Sequence, residues 1–156
     1  MQIELVAVGQ RMPPWVEDGY REYARRLTRE CQLVLREIAP AVRSKSGDAA
    51  KWRQTEGERI IAAVTHVDHA VALDRSGRAW STEQLATLIE QWMNSYRRVA
   101  LLIGGPDGLS QECLDRAGQR WSLSPLTFPH PLVRVIVAEQ LYRAWSLLQG
   151  HPYHRE

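Results

Sequence analysis

The sequence predicts an α/β fold, a single domain spanning residues 1–156 on a mostly parallel sheet of about five strands, with helices on both faces. Three observations point there. Short apolar runs alternate with helical patterns from one end of the chain to the other. The 156 residues amount to one domain of ordinary size. A hydrophobic content of 44% supplies a core without disulfide or metal staples.

The elements follow in order. Gln2–Val8 reads as a strand with Ile3, Leu5 and Ala7 on one face and Val6 and Val8 on the other, so both faces are buried. Gly9 ends it. Pro13 and Pro14 suit a first helical turn, and Val16, Tyr20, Tyr23 and Leu27 continue at helical spacing. The opposite face of that helix carries Arg21, Arg25 and Arg29, with Arg26 beside them. A second strand is expected over residues 33–38. Residues 39–48, rich in Pro, Ser and Gly and carrying Arg43 and Lys45, read as a mobile basic loop. Asp48 is placed to cap a helix over residues 49–64, which aligns Trp52, Glu56, Ile60 and Val64. A third strand over residues 69–73 ends at Asp74, with a turn at Gly77. Ser81 and Gln84 form a capping box for a helix whose apolar face is Leu85, Leu88, Ile89 and Trp92. Residues 98–103 (RVALLI) give the most hydrophobic strand, which argues for a central position. A short helix over residues 110–117 and a fifth strand over residues 121–123 complete the alternation. The segment between Pro131 and Gly150 is apolar on nearly every side of a helical wheel. Such a helix needs sheet on one side and a further cover on the other, and a second copy of the chain is the simplest cover.

Composition excludes several function classes. A net charge of +2 speaks against a histone-like nucleic-acid binder, so any RNA contact must come from a local patch. Cys31 and Cys113 fit neither a disulfide framework nor a zinc cluster, so no metal is expected. Without a signal-like or membrane-spanning apolar run, a soluble cytoplasmic protein that makes no membrane contact is expected.

Three constellations carry the candidate chemistry. Ile103-Gly104-Gly105-Pro106-Asp107-Gly108-Leu109-Ser110 stands where a strand ends and a helix begins, so backbone can approach a ligand closely. It is neither a Walker A loop nor a GxGxxG turn, which disfavours a nucleotide-phosphate cradle, and alone it reads equally well as a plain turn. The run from Trp121 to Pro131 (WSLSPLTFPHP) holds three prolines, and preordered backbone of this kind suits recognition of a planar base. Taken alone, it also reads as a connector that sets helix entry. The third is the tail His151-Pro152-Tyr153-His154-Arg155-Glu156, where an imidazole near neutrality and a guanidinium suit a nucleic-acid active site. Polar tails are more often solvated, but this one is anchored by the apolar helix.

Taken together, LVAVG with MPxW following, the strand ALD, LLIGGPDGLS, WSLS-LT-PHPLVRV, AEQLYRAW and HPYHRE resemble the RlmH family of SPOUT-class methyltransferases over the whole chain. The resemblance implies an α/β knot, with the C-terminal segment threaded into a deep trefoil, an exception to unknotted topology. It implies S-adenosylmethionine-dependent methylation of N3 of a pseudouridine in 23S large-subunit ribosomal RNA. It also implies a homodimer joined through the last helix, and the methyl donor would contact Leu73, Gly104, Leu123, Ser124, Pro125, Leu126, Thr127 and Phe128.

Read onto the reaction, His154 is the candidate proton acceptor for the imide nitrogen. Arg155 and Arg143 are candidates for phosphate or base-oxygen contact, and Tyr153 for stacking on the base. His130 reads as well as a helix-entry residue held for structure. Arg21, Arg25, Arg26 and Arg29, with Arg43 and Lys45, are expected to face phosphate, although Glu17, Glu22 and Glu30 dilute that face. With no separate RNA-binding domain, the assembled ribosome is the expected substrate. The alternatives are a SPOUT methyltransferase acting on transfer RNA and a non-enzymatic ribosome-binding module.

Overall fold

The computed structural model describes residues 1–155, so Glu156 of the tail lies outside the described residues. Its strands are β1 (Gln2–Val8), β2 (Gln32–Ile38), β3 (His69–Arg78), β4 (Arg98–Ile103) and β5 (Gln119–Trp121). Its α-helices are α1 (Pro14–Ala24), α2 (Ala49–Ala63), α3 (Thr82–Ser95), α4 (Gln111–Arg116) and α5 (His130–Leu148). The strands form one sheet in the order β2-β1-β4-β3-β5, every neighbouring pair parallel. The most hydrophobic strand, β4, is the middle one, because a strand packed on both faces tolerates no polar residue.

The pleat sorts the core into two layers. Ile3, Leu5 and Ala7 of β1 with Val99, Leu101 and Ile103 of β4 pack against Leu85, Ile89 and Trp92 of α3 and Val137, Leu141 and Trp145 of α5. Val6, Val8, Ala100 and Leu102 face the other way, onto Ile60 and Val64 at the end of α2, and Cys113 of α4. Asp48 accepts from the backbone N–H of Ala50 to cap α2, and the Ser81–Gln84 capping box starts α3.

Helix α5 lies against both α1 and α3. Those neighbours bury Val137, Ala138, Leu141, Ala144 and Trp145, while Leu132, Val135, Ile136 and Tyr142 stay half-buried. At its start, the buried Arg134 bonds the Glu37 carboxylate of β2 at 2.8 Å and the carbonyl of Gly9 at 2.9 Å. The chain thus leaves the edge strand β5 and crosses the carboxyl ends of the sheet to be pinned beside β1 and β2.

Three expectations are corrected. Helix α1 stops at Ala24, so Arg25 caps it and Arg29 lies in a separate 3-10 turn, Arg29–Cys31; the arginines do not share one helical face. Strand β3 runs on through Gly77 to Arg78, because Gly77 lets the backbone lie flat against β5, where a Cβ would come 2.5 Å from the carbonyl carbon of Arg120. Strand β5 ends at Trp121 rather than at residue 123; beyond it the Ser122 hydroxyl donates to the Ser124 carbonyl at 3.3 Å within the following loop.

Candidate active site

With all strands parallel, their carboxyl ends share one edge of the sheet, where ligands of open α/β sheets bind. A cavity of about 670 Å³ opens there between the ends of β3, β4 and β5. Of the eight residues expected at a methyl donor, seven line it: Leu73, Gly104, Leu123, Ser124, Leu126, Thr127 and Phe128. Pro125 is exposed and does not.

The floor is the glycine turn after β4. Gly105 and Gly108 pair across it, with the Gly108 N–H bonded to the Gly105 carbonyl at 3.0 Å. Gly108 has φ +81°, a conformation that favours glycine. A Cβ on Gly104 would come 2.5 Å from the carbonyl carbon of Gly108, so the turn closes only because Gly104 has none. The wall opposite is the segment after β5. Ser124 Oγ accepts from the Leu126 N–H at 3.0 Å, and Arg75 donates to Thr127 Oγ1 at 2.8 Å, tying that segment to the second half of β3.

Asp74, Arg75, Arg53, Asp107 and His130 also line the cavity. Sequence reading left Asp74, Arg75 and Arg53 out of the site and took Asp107 only as part of the glycine turn, since each is an ordinary surface residue by type. The signal was positional: Asp74 and Arg75 follow Leu73 directly, and Asp107 lies inside the glycine turn. Burial, then the Arg134 charge, lowers the pKa of His130, and its buried Nδ1 has no hydrogen-bond partner among the described residues.

The residues expected to act on the base are elsewhere. His154, Arg155, Tyr153 and Arg143 do not line the cavity of their own chain. They stand at the far end of α5, whose 19 residues span roughly 28 Å at 1.5 Å per residue. There the tail forms a 3-10 turn, Pro152–Arg155. The Tyr153 ring packs 4.6 Å from that of Tyr142, and its hydroxyl donates to Glu139 Oε1 at 3.3 Å. The Arg143 guanidinium lies 5.0 Å from the Tyr153 ring centre and 2.6 Å from Glu139. Burial, with Glu139 nearby, pushes the Tyr153 phenol up to about 12. His154 Nδ1 and the His151 carbonyl are 2.7 Å apart.

The expected phosphate-facing surface also divides. Helix α1 runs back from the carboxyl edge, so Arg21, Arg25, Arg26 and Arg29 lie toward the opposite edge from the loop with Arg43 and Lys45. Arg25 and Arg26 are both paired with Glu22, and Arg26 lies over the rings of Tyr23, Tyr142 and Tyr153. The cations at the cavity are instead Arg53 and Arg75.

Comparison with known proteins fits this layout. Residues 1–154 match the family model described as predicted SPOUT methyltransferase. The chain is 59% identical over 155 residues to ribosomal RNA large subunit methyltransferase H of Methylococcus capsulatus, covering 99% of this chain and 100% of that one. Among solved structures it resembles a probable methyltransferase of Bordetella pertussis, with a TM-score of 0.57 at 14% identity over 91% of this chain and 95% of that one. It also resembles a Legionella pneumophila protein solved with the bound cofactor SAM, with a TM-score of 0.50 at 12% identity over 93% of this chain and 66% of that one. The chain belongs to the SPOUT methyltransferases and, within them, to the family of ribosomal RNA large subunit methyltransferase H.

Proposed function

We propose that the chain transfers a methyl group from S-adenosylmethionine to N3 of a pseudouridine in large-subunit ribosomal RNA, on the assembled ribosome, as a homodimer. The observation that carries this is the cavity at the carboxyl ends of β3, β4 and β5, lined by the residues that the family likeness assigns to the donor. Its relatives' name supplies the RNA class. The run of chain from β5 to α5, pinned at Gly9 by Arg134, is compatible with the knot that the family likeness implies.

The residues present fit the donor. A cavity of about 670 Å³ suits a ligand of that size. Leu73, Leu123, Leu126 and Phe128 offer apolar walls to a purine, the side-chain-free glycine turn offers backbone, and Asp74 offers negative charge to a cationic ligand. When bound, the donor supplies a sulfonium methyl group open to in-line attack. Chain residues do the rest. N3 of pseudouridine is an imide nitrogen that attacks only after losing its proton, and His154 accepts that proton. Arg155 and Arg143 hold phosphate or stabilise the developing charge on the base oxygens, and Tyr153 stacks on the base.

The separation of roughly 28 Å along α5 supports a site shared between protomers, in which the tail of one chain meets the cavity of the other. The half-buried Leu132, Val135, Ile136 and Tyr142 supply an apolar surface for the pairing. Burial raises the pKa of the free thiols Cys31 and Cys113, which suits an inert role in the cytoplasm.

Deleting residues 151–156 should leave donor binding intact and abolish methyl transfer to ribosomes. Mixing that variant with a cavity variant should restore transfer in mixed dimers. Undiminished transfer by the tail-less chain would overturn the tail's role, and no recovery on mixing would overturn the shared site.

A further inference from the structure

The carboxylate of Glu56 on α2 is only 1% exposed, and the proposed chemistry makes no use of it. A buried carboxylate is costly unless it is paired and hydrogen-bonded. Here the partners come from the basic loop. Glu56 Oε2 accepts the Ala41 N–H at 3.0 Å and Arg43 Nη1 at 2.9 Å, while Arg43 Nη2 reaches Oε1 at 3.3 Å. The same Nη2 bonds Asp107 Oδ2 at 2.8 Å. The guanidinium lies over Trp52, 5.4 Å from the ring centre. One planar cation thus joins a loop, a helix and the glycine turn.

Two further contacts close the arrangement. Glu56 Oε1 lies 3.1 Å from where a Cβ on Gly105 would stand, so the carboxylate backs the turn directly. Arg53 donates to the Asp107 carbonyl at 3.4 Å. The turn is therefore held from behind by Glu56 and at its tip by Arg43.

We propose that Arg43 is a positioning residue for the methyl donor: fixed by Glu56 and Trp52, it sets the Gly104–Gly108 turn through Asp107. This makes the basic loop part of the donor site without touching the donor. The inference rests on reading the cavity as the donor site. Net stability does not account for the arrangement, because replacing a buried ion pair by apolar residues is often neutral. A fork that serves two carboxylates at once requires arginine; lysine offers a single point of charge.

The test uses Asp107→Asn, which leaves the Glu56–Arg43 pair intact, and Arg43→Lys, which keeps the charge on Glu56 but loses the fork. Each full-length variant, and the double variant, is titrated with S-adenosylmethionine by calorimetry, assayed on ribosomes at saturating donor, and unfolded in urea. Each single substitution should weaken donor binding about tenfold, as expected for one lost charge-assisted hydrogen bond, with kcat little changed. The double variant should bind no worse than the weaker single one, because both cut the same link. An effect of Asp107→Asn without one of Arg43→Lys overturns the proposal, since Asp107 would then act by direct contact. Additive effects, or donor binding within twofold of wild type in both, also overturn it. A wild-type chain that takes up no donor overturns the reading of the cavity itself, and the inference with it.

Discussion

Replacing Gly104 by alanine puts one methyl group where the structure has no room. Its Cβ would lie 2.5 Å from the Gly108 carbonyl carbon, 2.6 Å from the carbonyl oxygen and 2.8 Å from the Leu109 nitrogen. Unbonded carbons rest at about 3.5–4.0 Å, so the backbone at 108–109 must retreat by about 1 Å. That backbone cannot swing away as a side chain could, and forced repacking of this kind costs about 1–3 kcal/mol. The strain falls on the cavity floor, and donor binding must restore the turn or accept the displaced one. Either way, the donor's Kd should rise roughly 5- to 150-fold, at a factor of ten per 1.4 kcal/mol. Gly150→Ala is the control, because Gly150 has φ +67° and an added Cβ would meet nothing within 4 Å among the described residues. It should cost about 1–2 kcal/mol of stability in urea, with donor affinity unchanged. Calorimetric titration with S-adenosylmethionine reads both variants. If Gly104→Ala bound the donor no more weakly than Gly150→Ala does, the turn would not be the floor of the donor site.

Three other outcomes are expected. Arg134→Ala removes the partner of Glu37 and of the Gly9 carbonyl and should lose about 3 kcal/mol in urea denaturation; a loss under about 1 kcal/mol would contradict the anchoring of α5. Because burial lowers the pKa of His130, the unfolded chain takes up that proton first as pH falls. Stability should therefore drop below about pH 6.5 and level off once the folded ring protonates too. His130→Gln should flatten that slope, and an unchanged slope would refute the assignment. Charge reversal at Arg53 should reduce the salt dependence of ribosome binding by about one phosphate contact, whereas Arg25→Glu should leave it unchanged, a contrast read from binding titrations at several salt concentrations.

The strands and helices were legible because their signals are local. The β1 pleat, the Asp48 cap and the Ser81–Gln84 box each involve residues a few positions apart, and the apolar β4 announced its central place. The extension of β3 was hidden, because its polar Asp74–Arg78 stretch is carried by pairing with β5 rather than by its own pattern. The early end of α1 was hidden too: the arginine spacing continues, but the helix does not. That Gly104 and the segment after β5 line the cavity was legible through motif and family likeness. Arg53 was not, and neither was the bond from Arg43 to Asp107, since these contacts join residues far apart in sequence. The distance of the tail from its own cavity follows from the length of α5, while the contacts of Tyr153 with Tyr142, Glu139 and Arg143 fix where the tail turns.

The most direct test of the central claim is methyl transfer itself. The chain is incubated with methyl-labelled S-adenosylmethionine and ribosomes from cells lacking this activity, and the labelled nucleotide is then mapped. The account predicts one labelled pseudouridine in large-subunit RNA, methylated at N3, with the tail deletion inactive and Gly104→Ala slowed at donor concentrations near the wild-type Kd. Label on transfer RNA, on another base, or on no RNA at all would contradict it.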